Sequence, residues 1–238
     1  MRDNVKAFVR DVAELFETPE PIYEFGSLQV PGQEGYADLR SIFPGKQYIG
    51  CDARMGVGVD RIEDLMGLSL GDETAGTVLS LDTLEHVENC HTAMEGVYRI
   101  LKPEGILAIS SVMLFPIHEY PFDYWRFTPE AFRLLLRPFR TALISYEGEP
   151  EIPHTVFGLA SKSRLPEEAV AEYLRRREKA QPTGGPVLFS LEHEKSSWRE
   201  RAVALEKEIE ALTARRERHE STPVHRFFSW LSRSGLIR

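Results

Sequence analysis

Two apolar runs in this chain end on a carboxylate, one crossover apart. Pro21-Ile22-Tyr23-Glu24-Phe25-Gly26 reads as a strand that stops at Glu24 and breaks at a glycine. Gln47-Tyr48-Ile49-Gly50-Cys51-Asp52 reads as a second strand that stops at Asp52. The interval, 52 − 24 = 28 residues, leaves room for one helix. This is the layout of a βαβ unit, in which ligands bind beyond the carboxyl ends of the strands. An acid closing the second strand can accept two hydrogen bonds from the cis hydroxyls of a ribose. The pair of strands therefore points to an adenosine-type ligand.

The remaining pattern extends that unit into an α/β fold. Residues 4–16 place Val5, Phe8, Val9, Val12, Leu15 and Phe16 on one helical face, and Thr18-Pro19 stops the helix. A short helix is expected over 36–43, before Pro44-Gly45. Strands follow at 59–62, at 76–81 (Gly-Thr-Val-Leu-Ser-Leu) and at 106–111 (Ile-Leu-Ala-Ile-Ser-Ser), with a helix over 91–101 ended by Lys102-Pro103-Glu104-Gly105. Thr128 is placed as an N-cap with Pro129 at the first helical position. Residues 140–146 and 155–160 suit two closing strands in a hairpin at the sheet edge. Strands separated by helices imply a parallel sheet covered on both faces.

With 238 residues, the chain suits one α/β domain over 1–162 and an appendage. The appendage divides into a charged helix and a Pro/Gly linker, 163–186, and a heptad segment with a tail, 187–238. Leu191, Trp198, Leu205 and Leu212 recur every seven residues, with Leu188, Ala202 and Ile209 in the second seam and Lys195 breaking it. The heptads predict a homodimeric coiled coil; the alternative is a long helix folded back on its own domain. The tail mixes Phe227, Phe228, Trp230 and Leu231 with Arg226, Arg233 and Arg238. It suits an anionic membrane surface, a partner enzyme or docking on the fold.

A net charge of −8 argues against general affinity for nucleic acid. The N-terminus lacks the apolar core of a signal peptide, and no apolar run reaches bilayer-spanning length. Cys51 and Cys90, the two cysteines, form no disulfide framework or zinc-type spacing. A cytoplasmic location is the expectation.

Several residues could carry chemistry. Gly26 after Glu24 would let a ligand approach the backbone, or simply turn the chain; Ser27 follows it. Leu28 and Gln29 stand where a dinucleotide fingerprint has its later glycines, which argues against NAD or FAD. Asp52 is read as the ribose acid, against a capping role. Asp64 could accept the exocyclic amine of adenine with Leu65 packed on the ring, or be an exposed loop acid. Ser80, Leu81 and Asp82 would line a pocket beyond the fourth strand. His86 could act as a general base or bond the backbone at a helix start. Residues 118–129, His-Glu-Tyr-Pro-Phe-Asp-Tyr-Trp-Arg-Phe-Thr-Pro, pack ionisable and aromatic groups beyond the fifth strand. Tyr124, Trp125 and Arg126 could hold a polar substrate, with His118 or Asp123 taking its proton. In the structural alternative, Arg126 pairs with Asp123 in a lid.

In that order, Tyr-Glu-Phe-Gly, Tyr-Ile-Gly-Cys-Asp, Leu-Glu-His-Val and Leu-Lys-Pro-Glu-Gly resemble the class I S-adenosylmethionine-dependent methyltransferases, most closely the small-molecule type with a Leu-Glu-His-Val signature. The likeness covers roughly 21–160. It implies a Rossmann-like sheet of about seven strands, the last inserted antiparallel, and S-adenosylmethionine as cofactor. Glu24 and Gly26 would border its methionine moiety, Asp52 its ribose, and Asp64 and Leu65 its adenine. The Asp-Tyr-Trp-Arg-Phe-Thr-Pro segment resembles a subset linked to glycan synthesis, which implies a small-molecule or glycan acceptor. Methyl transfer needs alignment more than catalytic groups, so the lack of a triad or metal motif is no obstacle. Ser27-Leu28-Gln29 departs from the family's glycine loop. The alternative function, a catalytically silent adaptor acting through the C-terminal helix, rests on that departure.

Overall fold

The computed structural model describes residues 1–32, 34–180 and Lys207. The chain divides into two units, Met1–Leu191 and Glu192–Arg238, and in the second only Lys207, an exposed helical residue, is described. The expected linker, coiled coil and aromatic-basic tail lie outside the described residues.

The element order is α1 (Asp3–Leu15), β1 (Ile22–Phe25), β2 (Tyr48–Asp52), β3 (Arg61–Ile62), β4 (Ala75–Leu81), α2 (Cys90–Ile100), β5 (Leu101–Val112), α3 (Pro129–Leu135), β6 (Thr141–Glu149), β7 (Ile152–Ser161) and α4 (Glu167–Lys179). Seven strands form one sheet in the order β3-β2-β1-β4-β5-β7-β6. β1 pairs in parallel with β2 and β4, and β4 with β5. β7 runs antiparallel between β5 and β6, which leaves β6 on the edge. The order reverses between β1 and β4, and at such a switch point the strand ends splay and open a crevice.

Alternation sends successive side chains to opposite faces. Tyr23, Phe25, Val78, Leu107 and Ile109 join the core under α2 and α3. Ile22, Leu79, Leu81, Ile106 and Ala108 join the core under α1 and α4. β1 and β4 are buried throughout because helices cover both faces. In α1, Val5, Phe8, Val9 and Val12 are fully buried at helical spacing. In α4, Tyr173 packs edge-on against Phe8 and Phe16. Arg177 lies beneath it, 4.6 Å over the Phe157 ring, with Glu147 at 2.7 Å and Asp11 at 3.6 Å. This buried ion pair ties α4 to α1 and β6.

One cap falls where the sequence places it, and the structure adds a second at Asn89. The Thr128 side chain accepts the Ala131 N–H at 3.1 Å, with Pro129 opening α3. Asn89 caps α2 through the Thr92 N–H at 3.1 Å.

Two expectations change. The crossover from β1 to β2 has no α-helix among its described residues, only a 3-10 turn at Arg40–Ile42. Pro31-Gly32, Gly35 and Pro44-Gly45 leave too short an uninterrupted stretch for one. Leu39 and Phe43 from this crossover instead pack with α1 in one core. The strand expected at 106–111 starts earlier: α2 stops at Ile100, and Lys102-Pro103-Glu104-Gly105, expected only to end the helix, already belongs to β5, because Leu101 pairs with Ala75. No described helix is long and apolar enough to cross a membrane.

Candidate active site

A cavity of about 1090 Å³ opens beyond the carboxyl ends of the parallel strands. Its walls come from β1 (Phe25, Gly26), β2 (Asp52), the segment after β3 (Glu63 to Met66), the segment after β4 (Leu81 to Glu88) and the loop after β5 (Phe115 to Tyr124).

Gly26 turns the first wall. It sits at φ +85°, and a Cβ there would lie 2.2 Å from Thr83 Oγ1. The Thr83 hydroxyl bridges the ends of two strands, 3.2 Å from Phe25 O and 3.0 Å from Leu81 O. The glycine therefore serves the junction between β1 and β4 as well as the cavity. Leu28 lines the cavity and leans on Gly56, where a Cβ would meet Leu28 Cδ1 at 2.3 Å. It narrows the cleft without filling it.

Asp52 ends β2 on the cavity wall with its side chain 15 % exposed. Oδ1 accepts the Arg54 N–H at 3.0 Å; Oδ2 has no hydrogen-bond partner among the described residues. Asp64 is exposed, and its Oδ1 accepts the Met66 N–H at 2.9 Å in the turn that presents buried Leu65. Asp52, Asp64 and Leu65 thus all line the cavity. Next to them Glu63 is buried and fully engaged by Arg61 (2.7 Å) and Ser69.

Three residues expected at the ligand lie elsewhere. Glu24 projects to the α1/α4 face, where the Tyr48 hydroxyl donates to it at 2.8 Å. It is 5 % exposed, and burial pushes its carboxyl up to about 7. Ser27 is buried, with its hydroxyl 3.2 Å from Cys51 O. Ser80 is buried inside β4, and its hydroxyl has no partner among the described residues. Leu81 does reach the cavity, as does Asp82. Asp82 has φ +48° and receives Arg2 through Nε (3.2 Å) and Nη2 (2.9 Å), so the residue just before α1 brings a cation to the rim.

The loop after β5 divides into a staple and a wall. Arg126 forks onto Asp123 at 2.6 and 2.8 Å, and its remaining N–H groups meet Phe115 O, Pro116 O and Trp125 O. No donor is left for a substrate. Asp123 is 1 % exposed and also accepts the His118 N–H at 2.7 Å. The Arg126 guanidinium holds its carboxyl far below the ordinary carboxylate range, which makes it a poor base. Trp125 lies outside the cavity, its Nε1–H on Val87 O at 2.9 Å. The expected roles of Asp123, Trp125 and Arg126 toward substrate therefore give way to the structural alternative. Tyr124, Phe115 and Phe122 face the cavity.

His86 and His118 do meet there, Nε2 to Nε2, at 3.0 Å. Behind them Glu85 is completely buried; Oε2 accepts the Ser111 hydroxyl at 2.6 Å, and Oε1 has no partner among the described residues. Burial and the Asp82 charge push its carboxyl up to about 7. Its carbonyl takes the Tyr124 and Trp125 N–H groups, which pins the loop to this point. The sequence reading gave Glu85 no role, although it lies in the Leu-Glu-His-Val segment. Arg2, Thr83 and Phe115 were likewise missed, since only long-range packing brings them here.

Residues 46–109 match a family model described as a methyltransferase domain. A comparison with curated proteins finds no match. Among solved structures, an S-adenosylmethionine-dependent methyltransferase from Archaeoglobus fulgidus superposes with a TM-score of 0.52 at 16 % identity, over 67 % of this chain and 94 % of that one. Phosphoethanolamine N-methyltransferase 2 from Haemonchus contortus, in complex with S-adenosyl-L-methionine, gives 0.51 at 14 % identity, over 66 % of this chain and 52 % of that one. The seven-stranded core of this chain thus has the fold of the S-adenosylmethionine-dependent methyltransferases, with the methyltransferase-domain match centred on β2 to β5.

Proposed function

We propose that the chain is an S-adenosylmethionine-dependent methyltransferase acting on a small molecule or a sugar. The observation that carries this reading is Asp52: a carboxylate at the end of β2, on the cavity wall, with Oδ2 uncommitted. It would accept the two hydroxyls of a ribose, and Leu65 and Asp64, which also line the cavity, would hold an adenine. Gly26 would leave backbone clear for the methionine moiety. The cofactor supplies an electrophilic methyl group; the chain's residues bind, align and exclude water.

Size supports a second occupant. Ligand pockets usually measure about 300–1,000 Å³, and this cavity, at about 1090 Å³, has room for a cofactor and an acceptor. Phe115, Phe122 and Tyr124 offer apolar faces at the far end, which suit the ring of a sugar or another small molecule. Glu85, His86 and His118 are the ionisable groups there. An alcohol acceptor must lose its proton as it is methylated, and its heteroatom would be received at that end. A glycan acceptor fits this combination of aromatic faces and polar groups.

Calorimetric titration of the full chain with S-adenosylmethionine tests the reading. Binding is expected, and Asp52→Ala should weaken it ~10- to 100-fold, equivalent to about 1.4–3 kcal/mol. Unchanged binding by a folded Asp52→Ala variant would remove the ribose assignment. No binding by the wild-type chain would remove the function.

A further inference from the structure

We propose that Glu85, His86 and His118 form a binding site for one divalent transition-metal ion of the zinc class, at the acceptor end of the cavity. The case starts from which ring nitrogens carry hydrogen. His86 Nδ1 lies 2.7 Å from Phe122 O, and a carbonyl only accepts, so Nδ1 carries the hydrogen. His118 Nδ1 lies 3.2 Å from Pro116 O and 3.2 Å from an Asp123 carboxylate oxygen, both acceptors, so it too carries the hydrogen. In neutral imidazoles both Nε2 atoms are then bare lone pairs. They face each other at 3.0 Å. Two lone pairs repel at that distance unless something positive lies between or beside them.

A second observation points the same way. Glu85 is completely buried and its Oε1 has no hydrogen-bond partner among the described residues. A buried carboxylate oxygen without a partner is costly. The candidate ligand atoms of all three residues lie within 4.8 Å of one another. Ligands held about 2.0–2.2 Å from zinc stand roughly 3–3.5 Å apart. The two nitrogens already satisfy this, and the carboxylate needs only a small side-chain movement. A proton shared between the rings would relieve their repulsion but leave Oε1 unpartnered.

The surroundings are those of metal ligands. Each histidine donates its other N–H to a carbonyl or carboxylate, which orients the ring. The Ser111 hydroxyl fixes Oε2 of Glu85. Two imidazoles and a carboxylate suit zinc, and also iron(II), cobalt(II) and nickel(II), better than magnesium or calcium. All three residues line the cavity, so three protein ligands leave coordination positions open toward it for an oxygen of a small molecule. The site rests on these side chains and not on the methyl-transfer reading.

The test is titration of metal-free full-length protein with zinc(II), and with cobalt(II) to read coordination from the visible spectrum. One ion per chain is expected, with a low-symmetry nitrogen/oxygen cobalt spectrum. Affinity should fall ~10- to 100-fold in His86→Ala and in His118→Ala, and at least ~10-fold in Glu85→Gln. His91→Ala, an exposed position in α2, should not change it. Circular dichroism checks folding. Should a variant unfold, ¹⁵N-imidazole spectra of the wild-type chain decide: zinc should move the Nε2 signals of two histidines together. No zinc-dependent change there, no binding, or binding that survives a folded His86→Ala/His118→Ala double variant would overturn the site.

Discussion

Glu24 gives the sharpest test of how the sheet treats its first carboxylate. The side chain lies inside the α1/α4 core, where the Tyr48 hydroxyl is its one hydrogen-bond partner among the described residues, and its pKa rises from 4.5 to about 7. A raised pKa means that the folded state holds the proton more tightly than the unfolded chain. The fold is therefore fully tolerant of Glu24 below pH 4.5, loses stability as pH rises, and levels off above about pH 7. At about 1.4 kcal/mol per pH unit, the interval from 4.5 to 7 amounts to a loss of about 3 kcal/mol at neutral pH. Glu24→Gln keeps the shape and an oxygen for the Tyr48 hydroxyl but removes the charge. Denaturant unfolding of both proteins at several pH values should give equal stabilities near pH 4.5. At pH 8 the variant should be more stable by up to about 3 kcal/mol. The comparison isolates Glu24 from Glu85, which is raised in the same direction. A difference that stays constant with pH would refute the burial argument.

Two further perturbations probe the walls of the cavity. Gly26→Ala combines a positive φ with a Cβ pressed on Thr83, so it should cost about 2–4 kcal/mol in denaturant unfolding and weaken cofactor binding; an unshifted midpoint would contradict the strand-junction role. Arg126→Lys loses the planar fork on Asp123 and the contacts to three carbonyls, so amide exchange over 113–127 should accelerate while α2 stays protected; unchanged exchange would show that the staple is not what orders the loop.

The sequence was informative wherever a signal is local. Helical spacing of Val5, Phe8, Val9 and Val12 marks α1. Thr128-Pro129 marks the start of α3, and apolar runs ending at Glu24, Asp52 and Leu81 mark three parallel strands. Asp52 could be assigned to the cavity because a strand's end must emerge at the open edge of the sheet, whatever else surrounds it. The lack of a crossover α-helix among the described residues is also legible in Pro31-Gly32, Gly35 and Pro44-Gly45, which interrupt the interval.

Contacts across long separations belonged to the tertiary structure. Glu24 is one residue from the cavity in sequence, yet the pleat turns it to the opposite face, against Tyr48. The sequence allows Arg126 to face either a substrate or Asp123; only the closed loop, with three carbonyls converging on the guanidinium, decides between them. His86 and His118 are 32 residues apart, and nothing in either segment announces that their Nε2 atoms will face each other at 3.0 Å. Periodicity and caps act over one or two turns of chain, so they are readable in order. The facing of side chains across a cavity depends on how separate elements pack, and that is settled when the two cores close on the sheet.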